Sequence, residues 1–274
     1  MRHMSRTSPP HRARKRFGQN FLRDDGVINR IISAIHPLPD QHIVEIGPGQ
    51  GALTGLLTAS GCQIDVIELD RDLVPSLIAS HGQSPRFKLH SADALKFDYG
   101  QLASGPGSLR IVGNLPYNIS TPLIFKLLEN AHIIHDMHFM LQLEVVNRLA
   151  ASPGNKNWGR LGIMAQYHCQ IESLFEVPPT AFSPAPKVQS AIVRLQPRAE
   201  SPWPACDETV LRRLVQAAFA QRRKTLRNNL KGILDGDALE ELGIDPGARS
   251  ETLELRQFIA MANAVAATTG KAKS

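Results

Sequence analysis

Between residues 42 and 143 the chain alternates short apolar runs with helical stripes, and that alternation restricts the fold more than any other feature. The runs are His42–Ile46, Gln63–Glu68, Arg86–His90, Leu109–Val112 and Met137–Leu143. Helical patterns fall between them over Ala52–Ala59, Asp72–Ser80 and Pro122–Asn130. A further stripe, apolar at 27, 28, 31, 32 and 35, comes before them and is stopped by Pro37 and Pro39. Short apolar strands separated by helices predict a parallel, doubly wound α/β sheet covered on both faces. Two later runs, Ile163–Val177 and Val188–Leu195, are linked through the proline-dense 178–186 without a helix and predict an antiparallel pair at one edge. Ser201–Ala205 (Ser-Pro-Trp-Pro-Ala) marks a domain boundary. Helical patterns over Val210–Leu234, Ala238–Leu242 and Thr252–Ala267 then predict a small all-helical domain. The expected division is a disordered basic tail over 1–14, an α/β domain over 15–200 and a helical domain over 201–274.

Val44-Glu45-Ile46-Gly47-Pro48-Gly49-Gln50-Gly51 closes the first of these strands and opens a helix. Glycines at such a turn let the backbone approach a bound nucleotide. A dinucleotide loop spaces its last two glycines by three, whereas Gly49 and Gly51 are two apart and a carboxylate, Glu45, stands before the loop. That departure disfavours a pyrophosphate and suits a cationic ligand such as S-adenosylmethionine, which carries a sulfonium and an ammonium and no phosphate. Glu68, 21 residues after Gly47, ends the second strand, where a carboxylate accepts both ribose hydroxyls. Asp93 follows the third strand and could accept from an adenine amine. Each of these alone reads equally well as an ordinary turn or a surface carboxylate; three consecutive strand ends carrying fitting groups favour the cofactor site.

Asn114-Leu115-Pro116-Tyr117 stands just beyond the run Leu109–Val112. An exocyclic amine of a nucleobase is a poor nucleophile because its lone pair is delocalised into the ring. Hydrogen bonds from its protons to Asn114 Oδ1 and to a carbonyl at Leu115 or Pro116 would turn that lone pair toward a methyl donor, and Tyr117 offers a face for a flipped base. Phe182, in Phe182-Ser-Pro-Ala-Pro-Lys187, is a candidate second ring for the other face, although a core or lid position is an equal alternative. No strong base is needed, because a sulfonium is already activated and the proton can leave to water.

Composition and charge narrow the setting. The apolar fraction is 42% and the charged fraction 20%, as in ordinary globular proteins. No apolar run approaches the roughly 18–20 residues that span a bilayer. Three cysteines, Cys62, Cys169 and Cys206, are far apart and odd in number, which points to a reducing cytoplasm. The net charge of +6 is uneven: residues 1–30 hold eight Lys/Arg and two Asp, and Val210–Lys231 holds seven Lys/Arg and no acid. Two basic blocks read as the footprint of a polyanion, against the alternative of a basic tail and one solvated helix face. Read as one helix, Ala217–Leu230 sets Arg223 and Arg227 on a shared face with Phe219 one turn earlier, and Arg222, Lys224 and Lys231 widen that face. His132, His135 and His138 are spaced by three, but they straddle a predicted helix-to-strand change and no second cluster completes a metal site.

With these motifs assembled, the chain resembles the ribosomal RNA adenine N6,N6-dimethyltransferases over nearly its whole length. The likeness rests on Arg16-Phe17-Gly18-Gln19-Asn20-Phe21-Leu22, Glu45–Gly49, Ile67-Glu68-Leu69-Asp70, Asn114–Pro122, Glu144-Val-Val-Asn-Arg148, Phe182–Val188 and Gln221-Arg-Arg-Lys224. It is nearest the bacterial branch that dimethylates two adjacent adenosines in the 3′-terminal hairpin of 16S rRNA, in the small ribosomal subunit. The resemblance implies a Rossmann-like class I methyltransferase sheet of seven strands with a reversed final hairpin, and a C-terminal domain that grips RNA. It further implies that Asn20 and Leu22 close over the cofactor, beside Gly47, Glu68, Asp93 and Asn114. One departure is Leu143, where the family usually has a Lys, which leaves a polar or RNA-side contact unaccounted for. Three other readings stay open: the large-subunit methyltransferases of macrolide resistance, a non-catalytic assembly factor for the small subunit, and a nicotinamide dehydrogenase, which the loop spacing disfavours. Nothing in the sequence demands a metal, a membrane or more than a monomer.

Overall fold

The computed structural model describes residues 19–200, 202 and 207–271. The basic tail, the start of the Arg16–Leu22 motif, most of the 201–205 boundary and Cys206 lie outside the described residues. The chain enters through β1 (Phe21–Leu22) and α1 (Asp25–Ile35). Asp24 caps α1, its Oδ1 accepting the Val27 N–H at 2.9 Å. Ile28, Ile31 and Ile35 turn one apolar stripe of that helix inward. It ends at His36, in the left-handed conformation at φ 49°, immediately before Pro37.

The succession β2 (His42–Ile46), α2 (Thr54–Ala59), β3 (Gln63–Glu68), α3 (Val74–His81), β4 (Phe87–Ser91), β5 (Leu109–Asn114), α4 (Ser120–Leu128) and β6 (Ile134–Gln142) follows the expected alternation. α5 (Leu143–Leu149) and α6 (Arg160–His168) then precede β7 (Cys169–Val177), the short β8 (Phe182–Ser183) and β9 (Ser190–Pro197). Seven strands form one sheet in the order β4-β3-β2-β5-β6-β9-β7. Pairing is parallel from β4 to β6, and β9 runs antiparallel to both β6 and β7. The inner strands are mainly apolar because helices cover both faces, one around Ile111, Phe139 and Leu123, the other around Ile43, Ile64 and Ile31.

Two expectations need correction. Ile163–His168 is helical and belongs to α6, so the strand begins only at Cys169. Ile163 and Met164 are drawn into the apolar cluster of the C-terminal helices, a tertiary contact that overrides the β-leaning character of Ile163. Likewise, 210–234 is not one helix. It comprises α7 (Glu208–Ala218) and a single-turn α8 (Leu226–Asn229), with α9 (Gly236–Glu241) and α10 (Leu255–Lys271) after them. α7 stops because its terminal carbonyls find partners elsewhere. The Ala218 carbonyl accepts from Asn229 Nδ2 at 2.7 Å and from Ser250 Oγ at 2.5 Å, and in the turn beyond the helix the Gln221 carbonyl accepts from the same Asn229 nitrogen at 3.1 Å.

The C-terminal helices surround their own cluster of Leu211, Leu214, Leu226, Leu239, Phe258 and Met261, which reaches back to Ala151, Trp158, Ile163 and Met164. Trp158 Nε1 donates to the Leu253 carbonyl at 2.8 Å, and the Gly154 N–H to the Glu251 carbonyl at 2.8 Å. The loop between α5 and α6 is thus bonded to the C-terminal helices. No helix among the described residues is long and apolar enough to cross a membrane.

Candidate active site

The chain turns sharply at the C-terminal ends of β2, β3 and β5, and one cleft opens there. After β2 the backbone passes through Gly47, Gly49 and Gly51 at φ 66°, 59° and 83°, a left-handed sequence that side chains would oppose. Gly47 is tied to the neighbouring strand by its N–H on the Ile67 carbonyl at 2.9 Å. On the other side, a Cβ at Gly113 would stand 2.5 Å from the Ile46 carbonyl oxygen. Only glycine lets β5 approach so closely, and that approach carries Asn114 to the lip of the glycine loop.

The cleft is lined by Asn20 and Leu22 from the entry segment, Gly47 from the loop, Glu68 from β3, Asp93 after β4, and Asn114, Leu115, Pro116 and Tyr117 from β5 and its exit. Glu68 is buried; its two oxygens accept the Gly49 N–H at 3.2 Å and the Asp70 N–H at 2.8 Å. Burial raises its pKa above the ordinary value against the pull of those N–H groups. Glu45, 2% exposed, accepts the Thr54 hydroxyl at 2.6 Å. Burial above all, with the Glu68 charge adding, pushes its pKa up to about 7. Asp93 Oδ1 accepts the Leu95 N–H at 3.0 Å and so sits at a fixed turn.

Asn114 Nδ2 donates to the Asn20 carbonyl at 3.1 Å, an arrangement that orients the amide and ties β5 to the entry segment. The Leu115 N–H is bonded to the Met140 carbonyl at 3.2 Å, and the Pro116 carbonyl accepts the Ile119 N–H at 3.1 Å. The Leu115 carbonyl is therefore the fuller candidate acceptor. The entry segment is itself pinned: Leu22 pairs with Phe182, and the Arg23 N–H donates to the Ala181 carbonyl at 2.8 Å. Phe182 does not line the cleft. It is buried in the apolar cluster with Leu22, Ile28 and Ile192, because the strand pair β1–β8 draws its ring into the core. Sequence reasoning gave no weight of their own to Gln19 and Asp70, which line the cleft and are joined by a 2.9 Å bond from Gln19 Nε2 to Asp70 Oδ2. The spacing of Asp70 two residues past Glu68 is the signal that could have found it.

The lining tests the ligand. Glu45, Glu68, Asp70 and Asp93 all face the cleft, and among the described lining residues there is no Lys, Arg or His. Such a set of acceptors repels a pyrophosphate and fits a ligand bearing positive charge, hydroxyls and an amine. S-adenosylmethionine has all three.

The model of the ribosomal RNA adenine dimethylases matches residues 10–267. The chain belongs to that family. Ribosomal RNA small subunit methyltransferase A of Pseudomonas fluorescens is 60% identical over 256 residues, which are 93% of this chain and 95% of the relative. Among solved structures, a dimethyladenosine transferase from Plasmodium falciparum superposes with a TM-score of 0.76 at 26% identity, over 88% of this chain and 95% of that one. The 23S rRNA methyltransferase ErmE follows at 0.70 and 27%, over 90% of this chain and 100% of that one.

In this adenine dimethylase the basic block of the C-terminal helices is arranged differently from the helix face expected. Arg223 and Lys224 lie in the turn between α7 and α8, Arg227 on α8 and Lys231 just after it, all exposed. Arg223 and Arg227 consequently share no helical face. Arg222 is partly committed: its Nε meets Glu251 Oε2 at 3.1 Å and its Nη2 donates to the Lys156 carbonyl at 2.7 Å. Leu143 is half-buried at the start of α5, packed against the main core. His135 is exposed and His138 buried on β6, and among the described residues no group of His, Cys, Asp and Glu is placed to hold a metal.

Proposed function

We infer that this protein uses S-adenosylmethionine to dimethylate the N6 amines of two adjacent adenosines in the 3′-terminal hairpin of 16S rRNA. The observation that carries the chemistry is that Asn114–Tyr117 and the carboxylate-lined glycine loop open on one cleft. The likeness to a small-subunit methyltransferase over nearly the whole chain supports the choice of RNA.

In this reading Glu68 accepts the ribose hydroxyls and Asp93 the adenine amine of the cofactor. Gly47 lets the backbone lie against it, and Asn20 and Leu22 close over it. When bound, S-adenosylmethionine supplies a methyl on an activated sulfonium. Asn114 Oδ1 and the Leu115 carbonyl, with the Pro116 carbonyl beside it, accept the protons of the target amine, so that its lone pair faces the methyl. Tyr117 stacks on the base, a contact that contributes on the order of 1–3 kcal/mol. Orientation supplies most of the rate, since well-aligned reactants reach effective molarities of roughly 10⁵–10⁸ M. Phe182 serves as a core anchor for the entry segment. Residues 207–271 act as the RNA-gripping part, with Arg223, Lys224, Arg227 and Lys231 on phosphates and Arg222 shared between RNA and the 152–158 loop.

The test of substrate choice is a competition. Unmethylated small and large ribosomal subunits in equal amounts are incubated with the protein and radiolabelled S-adenosylmethionine. Label in 16S rRNA is expected; label chiefly in 23S rRNA would move the protein to the large-subunit branch, and label in neither would favour the assembly-factor reading.

A further inference from the structure

The stacking ring of Tyr117 has a partner outside the cleft. Its hydroxyl shares a hydrogen bond with Ser190 Oγ at 2.9 Å. Ser190 is the first residue of β9 and is wholly buried, at 0% exposed. It pairs with Gln142 at the end of β6 and with Val177 at the end of β7, so three strands converge on it. The residue before it is also fixed. The Gln189 carbonyl accepts the Leu143 N–H at 2.9 Å, and its side chain donates to Glu176 Oε2 at 2.7 Å. Ser190 therefore sits on one of the most constrained points of the sheet.

Tyr117 is placed quite differently. It is half-buried, in the exit from β5, between half-buried Pro116 and exposed Asn118. Its own backbone contact is the Ser120 Oγ on its carbonyl at 3.2 Å, which does nothing to orient the ring. A phenol at the rim of a cleft could satisfy its hydroxyl with water, whereas a wholly buried serine hydroxyl needs a protein partner. The bond between them joins the loop ring to the rigid strand and holds the phenol at both ends. A ring free to turn about its two side-chain torsions would present its face for only a fraction of the time, and the rate would fall by that fraction.

We propose that Ser190 is a positioning residue for methyl transfer: acting through the Tyr117 hydroxyl, it holds the stacking ring in the orientation that receives the target adenine. The proposal rests on the functional reading above. Nothing in the proline-dense sequence before β9 singles Ser190 out; the three-dimensional contact does.

Ser190→Ala and Tyr117→Phe cut this bond from opposite sides. Each is expected to lower kcat on small subunits roughly two- to tenfold, the size of one modest hydrogen bond. The Kd for S-adenosylmethionine, measured by calorimetry, should stay at the wild-type value. The double variant should be no slower than the slower single one, because both remove the same interaction. A readout free of activity accompanies this. The chain has three tyrosines, Tyr99, Tyr117 and Tyr167, so carbon-13 tyrosine labelling gives a simple spectrum. The ring resonance that vanishes in Tyr117→Phe is expected to shift in Ser190→Ala while the other two stay in place. Losses that multiply in the double variant, or a Tyr117 resonance unmoved by Ser190→Ala, would overturn the proposal. If Ser190→Ala does not fold, Tyr117→Phe decides alone, and wild-type kcat there also overturns it. A wild-type protein that methylates no small-subunit RNA would defeat the functional reading, and the Tyr117 resonance would still decide the anchor.

Discussion

The two ends of the sheet treat buried carboxylates in opposite ways. Toward the N-terminal ends of the strands, Asp65 on β3 lies between His42 and His90. Burial works against its charge, but the hydrogen bonds from the two histidines prevail and hold its pKa below the ordinary carboxylate value. Asp136 on β6 is gripped by Arg110, whose Nε and Nη2 reach its two oxygens at 2.8 and 2.9 Å. The rest of that guanidinium is used on the Ile35 carbonyl and on Gln41. At the C-terminal ends, Glu45 and Glu68 are about as deeply buried, yet they are met by a hydroxyl and backbone N–H groups, and their pKa values are raised. One end is internally neutralised. The other meets its carboxylates with no Lys, Arg or His among the described lining residues, and perturbed carboxylates of that kind mark functional clefts.

Substitutions at the two ends should have consequences of different kinds. Arg110→Met leaves buried Asp136 without its bidentate partner, with only Arg194 Nη2 at 3.8 Å, and is expected to lower unfolding stability by about 3–5 kcal/mol in urea titrations. The equivalent insult at the other end is chemical. Asn114→Ala should reduce methyl transfer by roughly 10²–10³-fold, the scale for removing a transition-state contact, while cofactor binding weakens only partly. Full activity in that variant would refute the role given to the amide.

pH divides the two ends more finely. Glu45 binds its proton more readily folded than unfolded, so it contributes stability below its ordinary pKa of 4.5 that is lost as pH rises through about 7. His138, beside Asp136, is the reverse. Burial first, with Arg110 and Arg194 adding, lowers its pKa from 6.5 to about 4 against the pull of Asp136. Its contribution is present above pH 6.5 and lost as pH falls through about 4. Each effect is on the order of 3 kcal/mol. Tm measured against pH should flatten on the alkaline side in Glu45→Gln and on the acid side in His138→Gln; unchanged curves would remove these groups from the account. The smallest effect is the most discriminating. At pH 8, Glu45→Gln is expected to stabilise the ligand-free protein by about 0.5–2 kcal/mol while weakening S-adenosylmethionine binding, a stability gained at the expense of function. Asp65→Asn should instead destabilise by about 1–3 kcal/mol and leave cofactor binding alone.

What the sequence made legible follows the same division. His42–Ile46 and Gln63–Glu68 could be read to the residue because parallel strands buried on both faces are mostly apolar, broken here only by carboxylates such as Glu45 and Asp65, and the groups at their ends stand at set distances from the glycine loop. Glu68, Asp93 and Asn114 converge on the cleft for that reason. Elements whose form depends on distant residues were not legible. α6 is a helix because Ile163 and Met164 pack on the C-terminal helices, and α7 ends at Ala218 because Asn229 and Ser250 take its carbonyl. Phe182 read equally well as a second ring for the base and as a core residue, and strand pairing with Leu22, which local sequence does not show, carries it into the core. Ser190 and its bond to Tyr117 belong to the same class: local sequence holds no record of a contact across 73 residues.

A mass spectrum of the 3′-terminal fragment of 16S rRNA reads the proposed reaction and its target together. Small subunits lacking the modification are incubated with this protein and S-adenosylmethionine, with Asn114→Ala run alongside. The expected result is two dimethyladenosines with the wild-type protein and none with the variant. A fragment of unchanged mass after wild-type treatment, from a protein that still binds the subunit, would contradict the account.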